Sequence, residues 1–272
     1  MRTTVVTPEP VERPLAWLST HSARLLRAYQ HADACRELHR FLGALAPVSN
    51  FIVFEFAPDR QPALVDCNYE HNYMLSHMAQ YCGGLYLLDP FWRAGGDGRA
   101  GLVHMDDIAP EDFRQSEYFL RHYQATGVVD EMRFVVPLPS GSCVHVFVER
   151  EAPLRAFDLE ECSRFAAVEP LVSAFVERHC AWRDAQRGAV PLPRAGFDLR
   201  EQIRLMQPGE ITPRETDIIE LMLKGHSAKS IAGVLDIEEG TVTNHKRNIY
   251  AKMGVHSQAQ LFDRFLRTLT AG

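Results

Sequence analysis

A run of cationic and hydrogen-bonding side chains near the C-terminus carries the clearest chemical pattern in the sequence. Between Thr241 and Met253 there is no acidic residue. If this run is helical, Val242, Ile249 and Met253 lie on one face and can pack inward. The opposite face then presents polar and cationic side chains: Thr243, Asn244, Lys246, Arg247 and Lys252. Such a face suits the major groove of DNA, where donors reach base edges and cations neutralise phosphates.

The neighbouring sequence predicts the helices that would position this face. The run from Thr212 to Glu215 has a Thr N-cap, Pro at the first helical position and a Glu that can close a capping box. Ser227 can cap the next helix. Helices over about 239–253 and 257–269 then complete an all-α, four-helix helix-turn-helix domain over residues 209–272. The alternative is a small packed bundle whose charged face is only solvated.

Charge separates this C-terminal segment from the rest of the chain. The net charge is −6, which argues against general electrostatic adhesion to nucleic acid. Residues 209–272 contain eight Lys+Arg and eight Asp+Glu, so the excess acid lies in the first 208 residues. All four lysines of the protein also fall in the C-terminal segment. The sequence therefore predicts a separate module at this end.

The same segment resembles a known family. The run from Ile211 to Ala232, followed by Thr241 to Val255, matches the pattern "LTxRE…GxSxxxIA…TVxxHxxxIxxKLGV" nearly throughout, over about 60 residues. This is the pattern of the LuxR/GerE family of bacterial transcription regulators. The resemblance implies base-edge contacts from Thr243, Asn244 and Arg247, and phosphate contacts from Thr241, Lys246 and Lys252. Asn244 would suit adenine and Arg247 guanine.

The resemblance also implies the partners. Members of the family generally bind double-stranded DNA as dimers on inverted repeats, which places two recognition helices about one helical turn apart. We therefore expect a homodimer, and an activator that works with RNA polymerase. The chain departs from the family at Asp236 and Glu238, where Gly and a capping Ser are usual, and at Thr243, where a Lys or Arg is usual. These changes predict weaker phosphate binding and a less specific contact.

The body, residues 1–183, has the pattern of an α+β domain. Strands are predicted at 50–57, 63–67, 128–138 and 142–150. Helices are predicted in four places: two within 15–46, then 71–82, 111–126 and 158–183. This order predicts an antiparallel sheet flanked by helices, and it is similar to the GAF/PAS-like sandwiches that include the acyl-homoserine-lactone receptors. Pro191, Pro193 and Gly196 mark a linker over residues 184–208.

Aromatic residues and an Asp-Pro pair form the candidate ligand site of the body. The stretch from Tyr69 to Trp92 is similar to the "W…Y…DP" segment of the lactone receptors, with imperfect spacing and no Trp at the first position. We expect a small molecule to contact these residues: Tyr73, Tyr81, Tyr86, Asp89 and Trp92. Three alternatives stay open: core packing by these side chains, an acyl-homoserine lactone in a quorum-sensing receptor, or a protein partner in place of a ligand.

Other chemistry is disfavoured. A phosphorelay receiver domain needs a lysine in the body, which has none. The G-x-G-x-x-G match at 96–101 follows no predicted strand and is interpreted as a flexible loop. The histidines and cysteines do not form a set of three or four metal ligands, and no catalytic set is present. The sequence predicts no metal, no cofactor and no enzymatic activity.

The compartment follows from composition. No apolar run approaches the roughly 20 residues that a membrane-spanning helix needs. The six cysteines form no C-x-x-C pair and are interpreted as reduced, mostly buried thiols. We therefore expect a cytoplasmic protein without a membrane partner.

Overall fold

The computed structural model describes residues 14–58, 60–68, 72–187, 196–206 and 210–270. The chain forms two compact units, residues 1–70, 94–107 and 128–194 in the first and residues 71–93, 108–127 and 195–272 in the second. The second unit therefore combines the predicted ligand segment with the predicted DNA-binding domain. The predicted domain boundaries stay predictions, and residues 188–195 and 207–208 of the predicted linker lie outside the described part.

An antiparallel sheet is the centre of the first unit. Its strands are β1 (Asn50–Ala57), β2 (Arg60–Cys67), β3 (Gly101–His104), β4 (Val128–Pro137) and β5 (Cys143–Glu151). They are hydrogen-bonded in the order β2-β1-β5-β4-β3, each pair antiparallel. The helices of this unit are α1 (Pro14–Ala28), α2 (Ala34–Gly43) and α6 (Leu159–Arg187). The sheet with its helices confirms the predicted α+β class.

One face of the sheet forms the hydrophobic core with the helices. Alternate residues of β5, Val144, Val146 and Val148, belong to this core because side chains alternate between the faces of a strand. Helices α2 and α6 add large apolar side chains: Leu38, Phe41, Leu42, Phe165, Val172 and Phe175. The helical spacing of these residues brings one stripe of each helix onto the sheet.

Two local predictions differ from the structure. Strand β3 was not predicted, because four residues are too few to show an alternating pattern, and it forms by pairing with β4. The predicted helix over 111–126 is wrong in its first part. A separate 3₁₀ turn covers Phe113–Gln115, and Ser116 is extended. The Ser116 hydroxyl then accepts a hydrogen bond from the Phe119 amide, 3.1 Å away, so it caps a new helical segment.

A buried ion pair fixes the start of α6 to the end of β5. Both terminal nitrogens of Arg150 donate to the Glu161 carboxylate at 2.9 Å, and its Nε donates to the Pro47 carbonyl at 2.8 Å. Asp158 and Glu161 form a reciprocal cap on α6. Hydrogen bonding from Arg150 lowers the pKa of Glu161 to about 2. The Glu161 carboxylate is therefore charged throughout the neutral pH range.

The second unit is helical within the described residues. Its elements are α3 (Asn72–Cys82), the 3₁₀ turns Leu85–Leu88 and Phe113–Gln115, the π-turn Phe119–Tyr123, α5 (Gln124–Thr126), α7 (Leu199–Leu205), α8 (Pro213–Leu223), α9 (Ala228–Leu235), α10 (Glu239–Met253) and α11 (Gln258–Thr270). Helix α4 (Pro90–Gly96) begins in this unit and ends in the other. The predicted caps of α8 and α9 are present, since Thr212 and Glu215 bond reciprocally and Ser227 accepts from the Ser230 amide.

The membrane and cysteine predictions can be compared with these helices and side chains. Within the described ranges, no helix combines the length and apolarity needed to cross a bilayer. The six cysteines lie within the described ranges and form no disulfide; Cys35 and Cys180 are buried, whereas the other four are half-buried. Burial, aided by the Asp66 carboxylate, raises the pKa of the Cys35 thiol to about 12. This thiol is therefore protonated and unreactive at neutral pH.

Candidate functional site

Helix α10 presents the predicted face. Val242, Ile249 and Met253 are fully buried, which fixes the rotation of the helix about its axis. Thr241, Thr243, Asn244, Arg247 and Lys252 are exposed and Lys246 is half-buried. An Arg247 terminal nitrogen lies 3.4 Å from the Asn244 side-chain oxygen, a weak bond that leaves both groups accessible. The two side chains with the best geometry for reading bases are therefore neighbours on the solvent side.

A concave groove of about 620 Å³ runs along this face. Its lining brings three predicted residues together with others from α10, the start of α9 and the segment after α10: Ala228, Thr243, Lys246, Arg247, Tyr250, Ala251, Gly254, Val255 and His256. Tyr250 and His256 were not predicted as site residues. Helical spacing could have identified Tyr250, because it follows Lys246 by four residues and Arg247 by three. His256 lies beyond the helix and enters the groove only through tertiary structure.

The turn before α10 shows the consequence of the two acidic departures. Asp236 ends α9 in the left-handed conformation, with φ 51°. Glu238 is the N-cap of α10 and its side chain makes no capping bond. A second acid, Glu239, lies in the first turn. The N-terminus of α10 therefore carries negative charge where a helix dipole would otherwise favour a phosphate.

Lys252 has a structural partner as well as an exposed position. Its Nζ donates to the Glu215 carboxylate at 2.7 Å, and that carboxylate also accepts from the Thr212 amide at 2.8 Å. The Glu215 side chain is 4% exposed, so its charge depends on these bonds. Despite burial, hydrogen bonding from Lys252 and Thr212 keeps the pKa of Glu215 below its usual value. Lys252 thus joins the end of α10 to the start of α8.

We expect Lys246 and Lys252 to respond differently to substitution. Lys246 makes no ion pair among the described residues, so Lys246→Met should leave stability nearly unchanged and reduce the salt dependence of DNA binding by about one phosphate contact. Lys252→Met leaves the buried Glu215 carboxylate without its cation and should lower the free energy of unfolding by about 1–3 kcal/mol. Thermal melts and binding at several salt concentrations measure the two effects. Equal losses of stability in both variants would contradict this assignment.

The aromatic residues of the candidate ligand site lie together in the second unit. The Tyr81 hydroxyl donates to Asp89 Oδ2 at 2.6 Å, and Asp89 Oδ1 accepts from the Phe91 amide at 2.8 Å. Both side chains are buried. The Tyr81 ring also meets the Tyr86 ring edge-on, with centroids 6.4 Å apart. Asp89 is therefore a buried acceptor held in place by an adjacent tyrosine.

Tyr86 connects this cluster to the chain that enters the helix-turn-helix. Its hydroxyl accepts a hydrogen bond from the Phe197 amide at 3.2 Å, two residues before α7 begins. Burial raises the pKa of Tyr86, so the phenol is neutral. Trp92, half-buried, lies edge-on to the Tyr86 ring at 5.4 Å. The structure thus brings Tyr81, Tyr86, Asp89 and Trp92 together, whereas the side chain of Tyr73 lies outside the described residues.

Comparison with known proteins identifies the chain. The family described as "Bacterial regulatory proteins, luxR family" matches residues 210–265. An HTH-type transcriptional regulator encoded in the exeN 3′ region of Aeromonas salmonicida is 31% identical over 188 residues, which cover 66% of this chain and 94% of that protein. The chain belongs to the LuxR family. The LuxR-type helix-turn-helix predicted from the sequence is therefore confirmed.

Solved structures extend the likeness to the body. The VqsR LBD domain from Pseudomonas aeruginosa is similar with a TM-score of 0.54 and 29% identity, covering 62% of this chain and 99% of that domain. Escherichia coli SdiA aligns over 94% of this chain and 98% of its own, with 17% identity and a TM-score of 0.45. The family match and the likeness to the VqsR domain make the protein a LuxR-type transcription regulator whose N-terminal part resembles a ligand-binding domain.

Proposed function

We propose that this LuxR-type regulator is a cytoplasmic homodimeric activator, which binds an inverted repeat in double-stranded DNA and is controlled by a small molecule bound in its N-terminal part. The observation that supports DNA binding is the exposed face of α10, where Asn244 and Arg247 are accessible and the opposite, apolar side of the helix is fully buried. The cluster around Asp89 supports control by a small molecule.

The geometry of α10 supports different DNA contacts for different side chains. Arg247 can donate two hydrogen bonds to guanine and Asn244 can pair with adenine. Lys246 and Thr241 suit phosphates, which position the helix without reading sequence. Two copies of the chain would place two such helices in successive major grooves, and RNA polymerase recruitment would follow from the bound dimer.

The hydrogen bonds of the cluster support a route from ligand to DNA-binding helices. A ligand that bonds to Asp89 competes with the Tyr81 hydroxyl and moves the aromatic rings packed on it. Tyr86 is one of these rings and holds the Phe197 amide ahead of α7. A ligand that favours one position of Tyr86 therefore favours one position of α7, which is a shift between two populations.

Native mass spectrometry of the purified full chain tests whether a small molecule is bound. We expect a dimer whose excess mass disappears on denaturation, and we expect Asp89→Asn or Tyr81→Phe to lose that mass while the dimer persists. The matched control is Tyr29→Phe, which changes a half-buried tyrosine in the segment that connects α1 to α2. This variant should keep the excess mass. A bare wild-type dimer would reject the small-molecule proposal and favour control by a protein partner.

Tyr86→Phe tests the route separately. It removes the acceptor of the Phe197 amide and changes no ring packing, so the excess mass should stay bound. DNA affinities measured before and after the bound molecule is stripped should then differ by less than in the wild type, where coupling of this kind is typically about 5–150-fold. An unchanged ratio in Tyr86→Phe would show that the signal takes another path.

The nature of the excess mass decides between the ligand classes. A mass equal to that of an acyl-homoserine lactone would make the protein a quorum-sensing receptor, the second candidate, which is favoured by the Tyr81 and Asp89 positions. Selection of bound fragments from random double-stranded DNA tests DNA binding, with an inverted repeat as the expected product. A single unpaired half-site would contradict binding as a symmetric dimer.

A further inference from the structure

The turn between α8 and α9 packs closely on a part of the chain that precedes the linker. Gly225 in this turn is buried, with φ 89°. A Cβ added at Gly225 would lie 2.8 Å from the Ser116 Cβ and 3.3 Å from the Phe113 ring. The turn lies in the same unit as residues 71–93 and 108–127, which we call the sensor segments. The helix-turn-helix therefore meets the sensor segments with no room for a methyl group.

Helix α11 makes a second contact with the sensor segments. Asp263 forms an ion pair with Arg121, whose guanidinium also lies 5.5 Å from the centre of the Phe262 ring. Leu269 packs so closely on Gly84 that a Cβ added at this glycine would lie 2.5 Å from a leucine methyl carbon. The contacts of the α8–α9 turn and of α11 together form what we call the docking contact. It holds the DNA-binding helices on the sensor segments.

His226, the residue after Gly225, is a polar side chain at the docking contact. Its Nδ1 lies 2.8 Å from the Ser230 hydroxyl, whereas its Nε2 is buried and makes no hydrogen bond with a described residue. A protonated imidazole carries an N–H on both nitrogens. Protonation of His226 in this position would therefore bury an N–H without an acceptor, which destabilises the docked state.

The charged groups that act on His226 are positive. Arg93 of α4 and Lys224 at the end of α8 line one small cavity, and both act electrostatically on the imidazole. Lys224 Nζ bonds to the Glu220 carboxylate at 2.5 Å, and that carboxylate also pairs with Arg200 at 3.1 Å. Burial, followed by the charges of Arg93 and Lys224, lowers the pKa of His226 from 6.5 to about 4.

The other elements at the docking contact do not offset these cations. In the sensor segments, Glu117 pairs with Arg121 at 3.0 Å. Asp89, which also lines the small cavity, accepts a hydrogen bond from the Tyr81 hydroxyl. Lys229 of α9 is exposed and adds a further positive charge. Among the described residues, no carboxylate raises the pKa of the imidazole.

We propose that His226 is an acid-sensitive switch, in which protonation of the imidazole releases the helix-turn-helix from the sensor segments. The docked state binds this proton less readily than the released state, in which the exposed ring regains its ordinary pKa of 6.5. Docking is therefore complete above pH 6.5 and is lost as the pH falls from there towards 4. The switch goes beyond the proposed function, because it needs neither a ligand nor DNA.

Hydroxyl-radical footprinting of the full chain at pH 7.5 and pH 5 tests the switch. Phe113 is 1% exposed in the docked state, so its oxidation reports release. The docking constant should fall by roughly 20–30-fold between these pH values, and the oxidation rate of Phe113 should rise by up to the same factor. Phe165, in the hydrophobic core of the first unit, is the internal reference and should stay protected.

Three variants separate the switch from a general effect of acid. His226→Phe keeps a ring in the turn but cannot be protonated, so the rise at Phe113 should disappear. Arg93→Glu places a carboxylate near the protonated ring and should cut the rise to less than about half, which gives a second test should His226→Phe fail to dock. The control is His39→Phe, which removes a half-buried histidine of α2 whose pKa burial also lowers, and it should keep the rise.

Three results would overturn the inference. The first is an unchanged oxidation rate of Phe113 in the wild type between pH 7.5 and pH 5. The second is a rise in His226→Phe or Arg93→Glu equal to that of the wild type. The third is an equal rise at Phe165, which would show that acid unfolds the whole chain.

Discussion

Arg247→Ala lowers affinity for the selected DNA site by about 10–100-fold and leaves the melting temperature unchanged. A bidentate arginine–guanine contact contributes roughly 1–3 kcal/mol of discrimination between bases. Arg247 is exposed in the middle of α10, and among the described residues its side chain makes one weak bond, to Asn244. Because no packing is lost, the change in stability should stay within about 0.5 kcal/mol. Gel-shift titration with the selected site and with a scrambled duplex measures both affinity and discrimination.

The control for this variant is Arg36→Ala. Arg36 carries the same charge but lies on α2, where it pairs with the exposed Asp33. Its loss changes net charge equally and should leave specific binding unaltered. If Arg247→Ala still distinguished the selected site from the scrambled duplex as well as the wild type does, the base contact would have to be assigned to another residue.

Arg150→Met lowers the free energy of unfolding by about 3–5 kcal/mol, the largest effect on stability expected here. The substitution fills much of the same space but leaves the buried Glu161 carboxylate with the exposed Arg155 guanidinium, 3.1 Å away, in place of its buried partner. It also removes the donor to the Pro47 carbonyl and the guanidinium that lies 3.9 Å from the Phe157 ring. Urea denaturation followed by circular dichroism measures the loss. A change below 1 kcal/mol would show that water reaches Glu161 readily.

The same pair makes stability depend on pH. Because the pKa of Glu161 is lowered to about 2, its contribution is complete above the unfolded value of about 4.3 and is lost as the pH falls from there towards 2. Glu161→Gln should therefore be less stable than the wild type at pH 7, and the difference should shrink towards pH 2. The adjacent Glu160→Gln is the control, since Glu160 is exposed. A parallel pH profile for the two variants would contradict the buried ion pair.

Local sequence signals predicted the helix-turn-helix well. The capping box of Thr212 and Glu215, the cap at Ser227 and the buried stripe through Val242 act within a few residues of each other, so no distant contact is needed to specify them. The strands β1, β2, β4 and β5 were predicted for a similar reason, since each is long enough to show its pattern. Strand β3 was missed because its pairing with β4, more than 25 residues away, decides it. The break at Ser116 was missed although its cap is local, because the hydroxyl of Ser116 bonds to the Phe119 amide, a role that was not predicted from the sequence.

In the candidate site, too, local spacing predicted some features and tertiary contacts decided the others. Sequence identified the exposed side chains of α10, because their positions follow from helical spacing once the buried face is known. It could not show that Lys252 bonds to Glu215, 37 residues earlier, nor that Tyr86 holds the Phe197 amide across 111 residues. Such pairs have no spacing rule, since the fold and not the local chain brings them together.

By itself, the sequence determined that this protein carries a LuxR-type DNA-reading helix and an α+β body, because hydrophobic periodicity and helix caps are local properties of the chain. Tertiary structure alone decided which polar groups are satisfied. It gave Asp89 the Tyr81 hydroxyl, gave Glu161 the Arg150 guanidinium and left His145 without a described partner. The physical reason is that hydrogen bonding inside a protein depends on which distant groups are desolvated together, and this is fixed only when the strands and helices pack.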